Sequence, residues 1–245
     1  MIEVKGVSKV FDSAGGGVKA IEEVSFGVEA GEFVSIIGPS GSGKTTLLRI
    51  IGDLVQPTSG EVRVNGQTAQ QARLQGTFSY VFQNPVLLSW RNVLDNVRLP
   101  LEIIHREARD PQQLLDLVGL AGFEDKYPKE LSGGMKQRVS MARALTFNPA
   151  VLLMDEPFGA LDEFTRNAMN LEVLRIWKEI GVTILLVTHS ISEAVFLADK
   201  VVVLSARPAR VQHVQAVSFP RPRGADLKER QEFEEIVRCL RQKLE

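Results

Sequence analysis

Two glycine-bearing stretches and one pair of acids carry the chemistry available to this chain. Gly38-Pro39-Ser40-Gly41-Ser42-Gly43-Lys44-Thr45 has the spacing of a nucleotide-binding P-loop, with Thr46 directly after it. Glycines let backbone N–H groups crowd around phosphate oxygens. A helix starting at Thr45 adds partial positive charge at the same point. Lys44 is placed to reach β- and γ-phosphates, and the Thr45 hydroxyl to ligate Mg²⁺. The plainer alternative is a Gly/Ser-rich loop with a chance lysine. The strand-like run 33–37 before the loop and the helical pattern after it argue against that.

Asp155 and Glu156 close the apolar run 151–154. Four apolar residues in a row suit a strand covered on both faces. Residues at the carboxyl ends of such strands face the ligand crevice of an α/β sheet. Asp155 is then expected to hold Mg²⁺, directly or through water. Glu156 is expected to take a proton from the attacking water, or to orient it. Taken alone, the pair could equally be two solvated acids at a strand end. Two further strand-like runs end in polar groups: 78–82 leads to Gln83, and 183–187 leads to Thr188-His189. A third, 200–204, has no reactive residue after it. His105 and His213 are expected to be ordinary core or surface residues.

Leu131-Ser132-Gly133-Gly134-Met135-Lys136-Gln137-Arg138 opens a helix whose inward face would carry Met135, Val139, Ala142 and Leu145. A serine hydroxyl, backbone amides and a helix dipole make a second anion site. A plain N-cap and tight turn is the structural alternative. One γ-phosphate does not easily use two helix N-termini from distant parts of one subunit.

With these motifs in this order, the chain resembles the ATPase subunit of an ABC transporter over residues 11–204. The resemblance implies a P-loop NTPase fold of class α/β. It has a mostly parallel sheet, an N-terminal antiparallel β subdomain and an inserted helical subdomain at about 86–146. It implies ATP and Mg²⁺, with two nucleotides sandwiched in a head-to-tail homodimer in which Ser132, Gly133 and Gly134 complete the partner's site. By the same resemblance Gln83 contacts the metal or the water and senses the γ-phosphate, and His189 hydrogen-bonds that phosphate. Asp162 belongs to the loop linking the two sites. Phe11 stacks on adenine, a contact tolerant of base identity. Met135 departs from the family pattern, which has Gln there.

The segment Phe82-Gln83-Asn84-Pro85-Val86-Leu87-Leu88-Ser89-Trp90-Arg91-Asn92-Val93-Leu94-Asp95-Asn96-Val97 is similar to the nitrate/sulfonate/taurine importer ATPases, as are Asp155-Glu156-Pro157-Phe158-Gly159-Ala160-Leu161-Asp162 and Ala194-Val195-Phe196-Leu197-Ala198-Asp199. That likeness implies two integral membrane permease subunits, an indirect link to a substrate-binding protein, and a place on the cytoplasmic face of the plasma membrane. Leu87, Leu88 and Trp90 are then candidates for a docking patch, against the alternative that they are core of the helical subdomain. A soluble ABC ATPase acting on nucleic acid or ribosomes, or an exporter ATPase, is the competing class. The long insertions, tandem cassettes or basic arms of the first are not seen here.

The rest of the chain must position these groups. Its 245 residues, 44% of them hydrophobic, allow one large core or a core with a subdomain. A net charge of −1 gives no electrostatic case for nucleic acid or anionic lipid. No apolar stretch reaches membrane-spanning length, and no secretory pattern opens the chain. The single cysteine, Cys239, excludes a disulfide framework. Asp110-Pro111 is a helix start, with Leu114, Leu115 and Val118 on one face and Gly119 as its stop. The expected division is an ATPase domain over 1–220. A linker at Pro220-Arg221-Pro222-Arg223-Gly224 and an amphipathic helix follow over 221–245, with Phe233, Ile236, Val237, Leu240 and Leu244 on its apolar face.

Overall fold

The computed structural model describes residues 1–12, 16–103 and 108–244; Gly15 and His105 lie outside them. A hairpin of β1 (Ile2–Phe11) and β2 (Val18–Val28) opens the chain, its period-2 pattern burying Ile2 and Val4. β3 (Phe33–Ile37) is buried at every position and runs through the glycine loop into α1 (Lys44–Ile51). β4 (Ser59–Val64) and β5 (Gln67–Thr68) join the hairpin in an antiparallel sheet of order β2-β1-β4-β5. α2 (Ala69–Leu74) and β6 (Phe78–Val81) lead into a helical stretch of α3 (Val93–Ile103), α4 (Pro111–Leu117) and α5 (Gly133–Leu145). Strands and helices then alternate: β7 (Val151–Asp155), α6 (Glu163–Ile180), β8 (Thr183–Val187), α7 (Ile191–Leu197), β9 (Lys200–Leu204) and β10 (Val211–Ala216). α8 (Gln231–Leu244) follows.

The second sheet has the order β10-β9-β3-β8-β7-β6, parallel except for the edge strand β10. Its apolar runs bury both faces. Val34, Ile36, Leu153, Leu185 and Val187 face α1 and the antiparallel sheet. Leu152, Met154, Ile184 and Leu186 face the core shared with α5, α6 and α7. This alternation is the strand's period of two, and it leaves the strand ends as the place where polar groups meet. In α5, Val139, Ala142 and Leu145 are buried as the helical pattern requires, while Met135 is only half-buried against the same core.

The stretch before α8 is irregular and firmly held. Arg221 pairs with Asp199 at 2.6 Å and its guanidinium lies 4.1 Å from the Trp177 ring. The buried Arg223 donates to the carbonyls of Val195, Phe196, Ala198, Val217 and Phe219 at 2.8 to 3.4 Å. Burial pushes its pKa down to about 10, which leaves it charged at neutral pH. Phe233, Val237 and Leu240 of α8 are buried in the helical-side core. Arg223→Ala is expected to lower stability by about 3 kcal/mol, because five carbonyls lose a charged donor in a dry setting. That corresponds to a fall of roughly 6–12 °C in thermal midpoint. An unchanged midpoint would show that these bonds contribute nothing net.

Candidate functional site

The loop between β3 and α1 needs glycine for steric reasons. Gly43 has φ +106°, and a Cβ there would approach the Ala20 carbonyl oxygen to 3.1 Å. Gly41 has φ +72°. The loop closes with Ser42 N–H donating to Pro39 O at 3.1 Å. α1 begins at Lys44, so its first free N–H groups point out of the loop. The Lys44 ammonium is buried and donates to Gly38 O at 2.9 Å and Pro39 O at 3.0 Å. Burial lowers its pKa, opposed by the charges of Glu156 and Asp155.

Parallel pairing sets the acids beside this loop. Asp155, at the end of β7, accepts from the Thr45 hydroxyl at 2.8 Å and from Tyr80 O–H at 3.2 Å. Burial raises its pKa, against the lowering effect of these two bonds. Burial beside Asp155 also raises Tyr80. Glu156 follows with φ +44°, a left-handed conformation costly for a side chain bearing a Cβ, and its N–H is fixed by Val187 O at 2.9 Å. Its Oε2 stands 3.0 Å from His189 Nδ1, at the end of β8. The ends of β3, β7 and β8 thus converge on one cavity of about 260 Å³. It is lined by Ser40, Gly41, Gly43, Lys44, Thr45, Thr46, Glu156, His189 and Arg207.

The structure therefore brings together the glycine loop, Lys44, Thr45, Thr46, Asp155, Glu156 and His189. Gln83, exposed just after β6, and Phe11, half-exposed at the end of β1 with Lys9 Nζ 5.0 Å from its ring, do not line the cavity. Ser132, Gly133 and Gly134 do not line it either. They pack beside the start of α6: a Cβ on Gly134 would meet Thr165 at 3.0 Å, and one on Gly133 would meet Leu161 at 3.5 Å. Ser132 caps α5 by accepting from Met135 N–H at 3.3 Å. Asp162 caps α6, accepting from Thr165 N–H at 3.0 Å and from its hydroxyl at 2.7 Å. The Thr165 hydroxyl is the main cause of its lowered pKa.

Two residues at the site were not foreseen. Tyr80 lies opposite Leu153 in the β6–β7 register, so it shares a face with Asp155 two residues on; the signal exists only once that register is known. Arg207 corrects the expectation that nothing reactive follows the run 200–204. It comes from the loop after β9, which lies beside β3.

α5 is also tied to the stretch after β6. The buried Gln137 donates to Phe82 O at 3.3 Å, and Arg143 donates to Val86 O at 2.9 Å and Pro85 O at 2.7 Å. Val86, exposed with φ +47°, is held in an unfavourable conformation for a β-branched residue. Asn96, fully buried, accepts from Leu88 N–H at 2.8 Å and donates to Leu88 O and Arg91 O. Leu87 packs against the core, whereas Trp90 is 72% exposed.

The chain is similar to known proteins. The family model described as "ABC transporter" matches residues 21–159. The chain is 40% identical to an aliphatic sulfonates import ATP-binding protein of Bacillus cereus, over 100% of this chain and 96% of that protein. It is 44% identical to a nitrate import ATP-binding protein of Synechocystis sp., over 89% of this chain and 83% of that one. Among solved structures, a dimeric bacterial ABC transporter cassette superposes with a TM-score of 0.78 at 33% identity, covering 90% of this chain and all of that one. A post-hydrolysis cassette bound to ADP and Pi gives 0.76 at 32% identity, with the same coverage. The chain belongs to the ATP-binding subunits of the ABC transporter family, which hydrolyse ATP to drive transport.

Proposed function

We propose that this chain is the energy-coupling ATPase of a bacterial importer for a small anion or related compound, such as nitrate, a sulfonate or taurine. The observation that carries the ATPase chemistry is the convergence of Lys44, the Thr45–Asp155 pair and the Glu156–His189 pair on one cavity at the ends of three adjacent strands. The names of the relatives support the importer reading and its range of anions. The glycine loop and the N-terminus of α1 cradle the phosphates, and Lys44 shifts from its own loop carbonyls to phosphate oxygens. Phe11 offers an exposed ring to the adenine. Glu156 takes the proton of the attacking water, while His189 holds that carboxylate and hydrogen-bonds the terminal phosphate. Gln83, exposed just after β6 and outside the cavity lining, is assigned the sensing of that phosphate and contact with the metal or the water by the family resemblance alone.

Thr45 and Asp155 present hard oxygen donors close together, and among the described residues no cluster of three or more His, Cys, Asp or Glu competes for a metal. That fits Mg²⁺, which binds few protein ligands and keeps waters and phosphates. When bound it neutralises charge on the departing phosphoryl group. Ser132, Gly133 and Gly134 stand away from the cavity in their own chain. This favours two copies arranged head to tail, each completing the other's site, with Asp162 in the loop between sites. We place the ATPase domain at 1–220, with its helical subdomain at about 86–146, and the linker and last helix at 221–245.

No helix among the described residues is long and apolar enough to cross a membrane. In this reading the chain joins the membrane peripherally, through two permease subunits at the cytoplasmic face. A separate binding protein delivers the anion to them. Trp90 is exposed on a loop pinned by Asn96, and a groove of about 300 Å³ is lined by Phe82, Leu99, Pro100, Ile103 and Phe147. A permease helix is the occupant that fits. Trp90→Ala is expected to leave soluble ATP hydrolysis near wild type and to lower uptake per ATP in the reconstituted complex severalfold. A large drop in thermal midpoint would instead place Trp90 in the core. The importer reading itself is tested by deleting the gene and following uptake of nitrate, taurine and an alkanesulfonate. Loss of one uptake, restored by wild type but not by Glu156→Gln, is expected; unchanged uptake of all three would overturn it.

A further inference from the structure

Arg207 stands out in the nucleotide cavity because, among the described residues, its charge has no partner. Among the described residues it makes no ion pair, although it lines the same space as Lys44, Thr46, Glu156 and His189. Arg210, three residues on in the same loop, is paired with Glu22 at 2.6 Å. The loop that presents Arg207 is well ordered by its own bonds. Ser205 N–H donates to Arg210 O at 3.0 Å, and Arg210 N–H donates to Ser205 Oγ at 3.0 Å. The Ser205 hydroxyl reaches Ala206 O at 2.9 Å and Pro208 O at 3.1 Å. Ala209 is fully buried and exchanges backbone bonds with β2: its N–H donates to Ala20 O, and its carbonyl accepts from Glu22 N–H, both at 2.9 Å. The Ala209 methyl also lies close to Gly43, so this loop packs directly on the glycine loop.

The charges that line the cavity are Lys44 and Arg207 against Glu156. A triphosphate brings several negative oxygens, more than one lysine offsets. A guanidinium suits them better than an ammonium, because its fixed fork of N–H donors matches two phosphate oxygens at once. Its backbone frame is already built, so only the side chain remains to be ordered on binding. We infer that Arg207 is a second cationic ligand of the nucleotide: its guanidinium binds the phosphate chain of ATP within its own chain, from the side of the glycine loop opposite His189. The side is fixed by the sheet, since β9 and β8 flank β3.

This inference rests on the reading that the cavity holds the nucleotide, so the experiment tests both. The full-length chain is titrated calorimetrically with ATP and with ADP at several KCl concentrations, for wild type, Arg207→Gln, Arg207→Lys and Lys44→Ala, with the melting midpoint of each nucleotide-free protein as a fold control. Arg207→Gln is expected to weaken ATP binding about tenfold, the size of one lost charged hydrogen-bonding contact. It should also flatten the dependence of affinity on salt, because one screened charge is gone. Arg207→Lys should keep the salt dependence with intermediate affinity. Melting midpoints should match wild type. Lys44→Ala binding ATP as tightly as wild type would defeat the cavity reading, and this inference with it. Lys44→Ala losing ATP while Arg207→Gln keeps wild-type affinity and salt dependence would overturn the inference alone. So would an Arg207→Gln protein whose affinity falls with a lowered melting midpoint and an unchanged salt dependence, which would mark a purely structural role.

Discussion

Glu156→Gln is expected to bind ATP as wild type does and to hydrolyse it about 10²–10⁴-fold more slowly, the range that a positioned general base contributes. The substitution keeps the shape and removes only the basic oxygen. The local structure should persist, because it does not depend on the carboxylate. The left-handed backbone at Glu156 is set by the bond from its N–H to Val187 O and by Gly159 N–H donating to Glu156 O at 3.1 Å. An amide also still reaches His189, now as a neutral pair. ATP trapped in the site should hold two copies together, so the variant should elute as a dimer with ATP and as a monomer without it. Phosphate release and nucleotide affinity are measured side by side. Hydrolysis within a few-fold of wild type would remove Glu156 from the role of base.

The second large effect is a rescue. A Lys44→Ala chain and a Ser132→Arg chain should each be nearly inactive alone. In an equal mixture, half the dimers pair one of each. In those dimers one composite site carries both lesions and the other carries none, so about a quarter of the wild-type rate is expected to return. The structural ground is that Ser132 caps α5 beside the start of α6, where Gly134 has little room, and takes no part in lining its own chain's cavity. Arginine at Ser132 should preserve the fold because the hydroxyl makes a single capping bond, worth about 1 kcal/mol. A mixture no faster than its parents would place Ser132 in its own chain's site. A rate near a quarter would be hard to obtain in any other way.

Much of this was readable from the residues because the motifs are local. A P-loop is one strand, one turn and one helix start, all contiguous. Asp155-Glu156 and His189 each follow an apolar run whose burial on both faces predicts a central parallel strand, and β7 and β8 are buried throughout. What was not readable depends on which strands are neighbours. Tyr80 reaches Asp155 only because β6 pairs with β7 in a particular register. Arg207 reaches the cavity only because β9 lies against β3, a crossover that no spacing in the chain specifies. Arg221 and Arg223 read as linker because Pro and Gly surround them; their partners at the end of α7 and in Asp199 are distant in sequence. Trp90 and Leu87, three residues apart and both large, part ways in space, since the buried Asn96 fixes a turn that sends one outward and the other in.

The clamp from Gln137 and Arg143 to the carbonyls of Phe82, Pro85 and Val86 makes α5 and the stretch after Gln83 a single lever. One arm ends at the exposed Trp90, and the other is the Ser132 end of the helix. In the head-to-tail pair proposed above, that second arm would touch the nucleotide of the other copy. In the arrangement proposed above, a membrane partner leaning on Trp90 would act on ATP bound across the two-fold axis rather than on ATP in the chain it touches. Thermodynamic linkage then demands equality in both directions: whatever factor docking adds to ATP affinity, ATP must add to docking. Arg143 sets the stiffness of that exchange. Shortening it should leave each end able to bind while the two cease to inform one another.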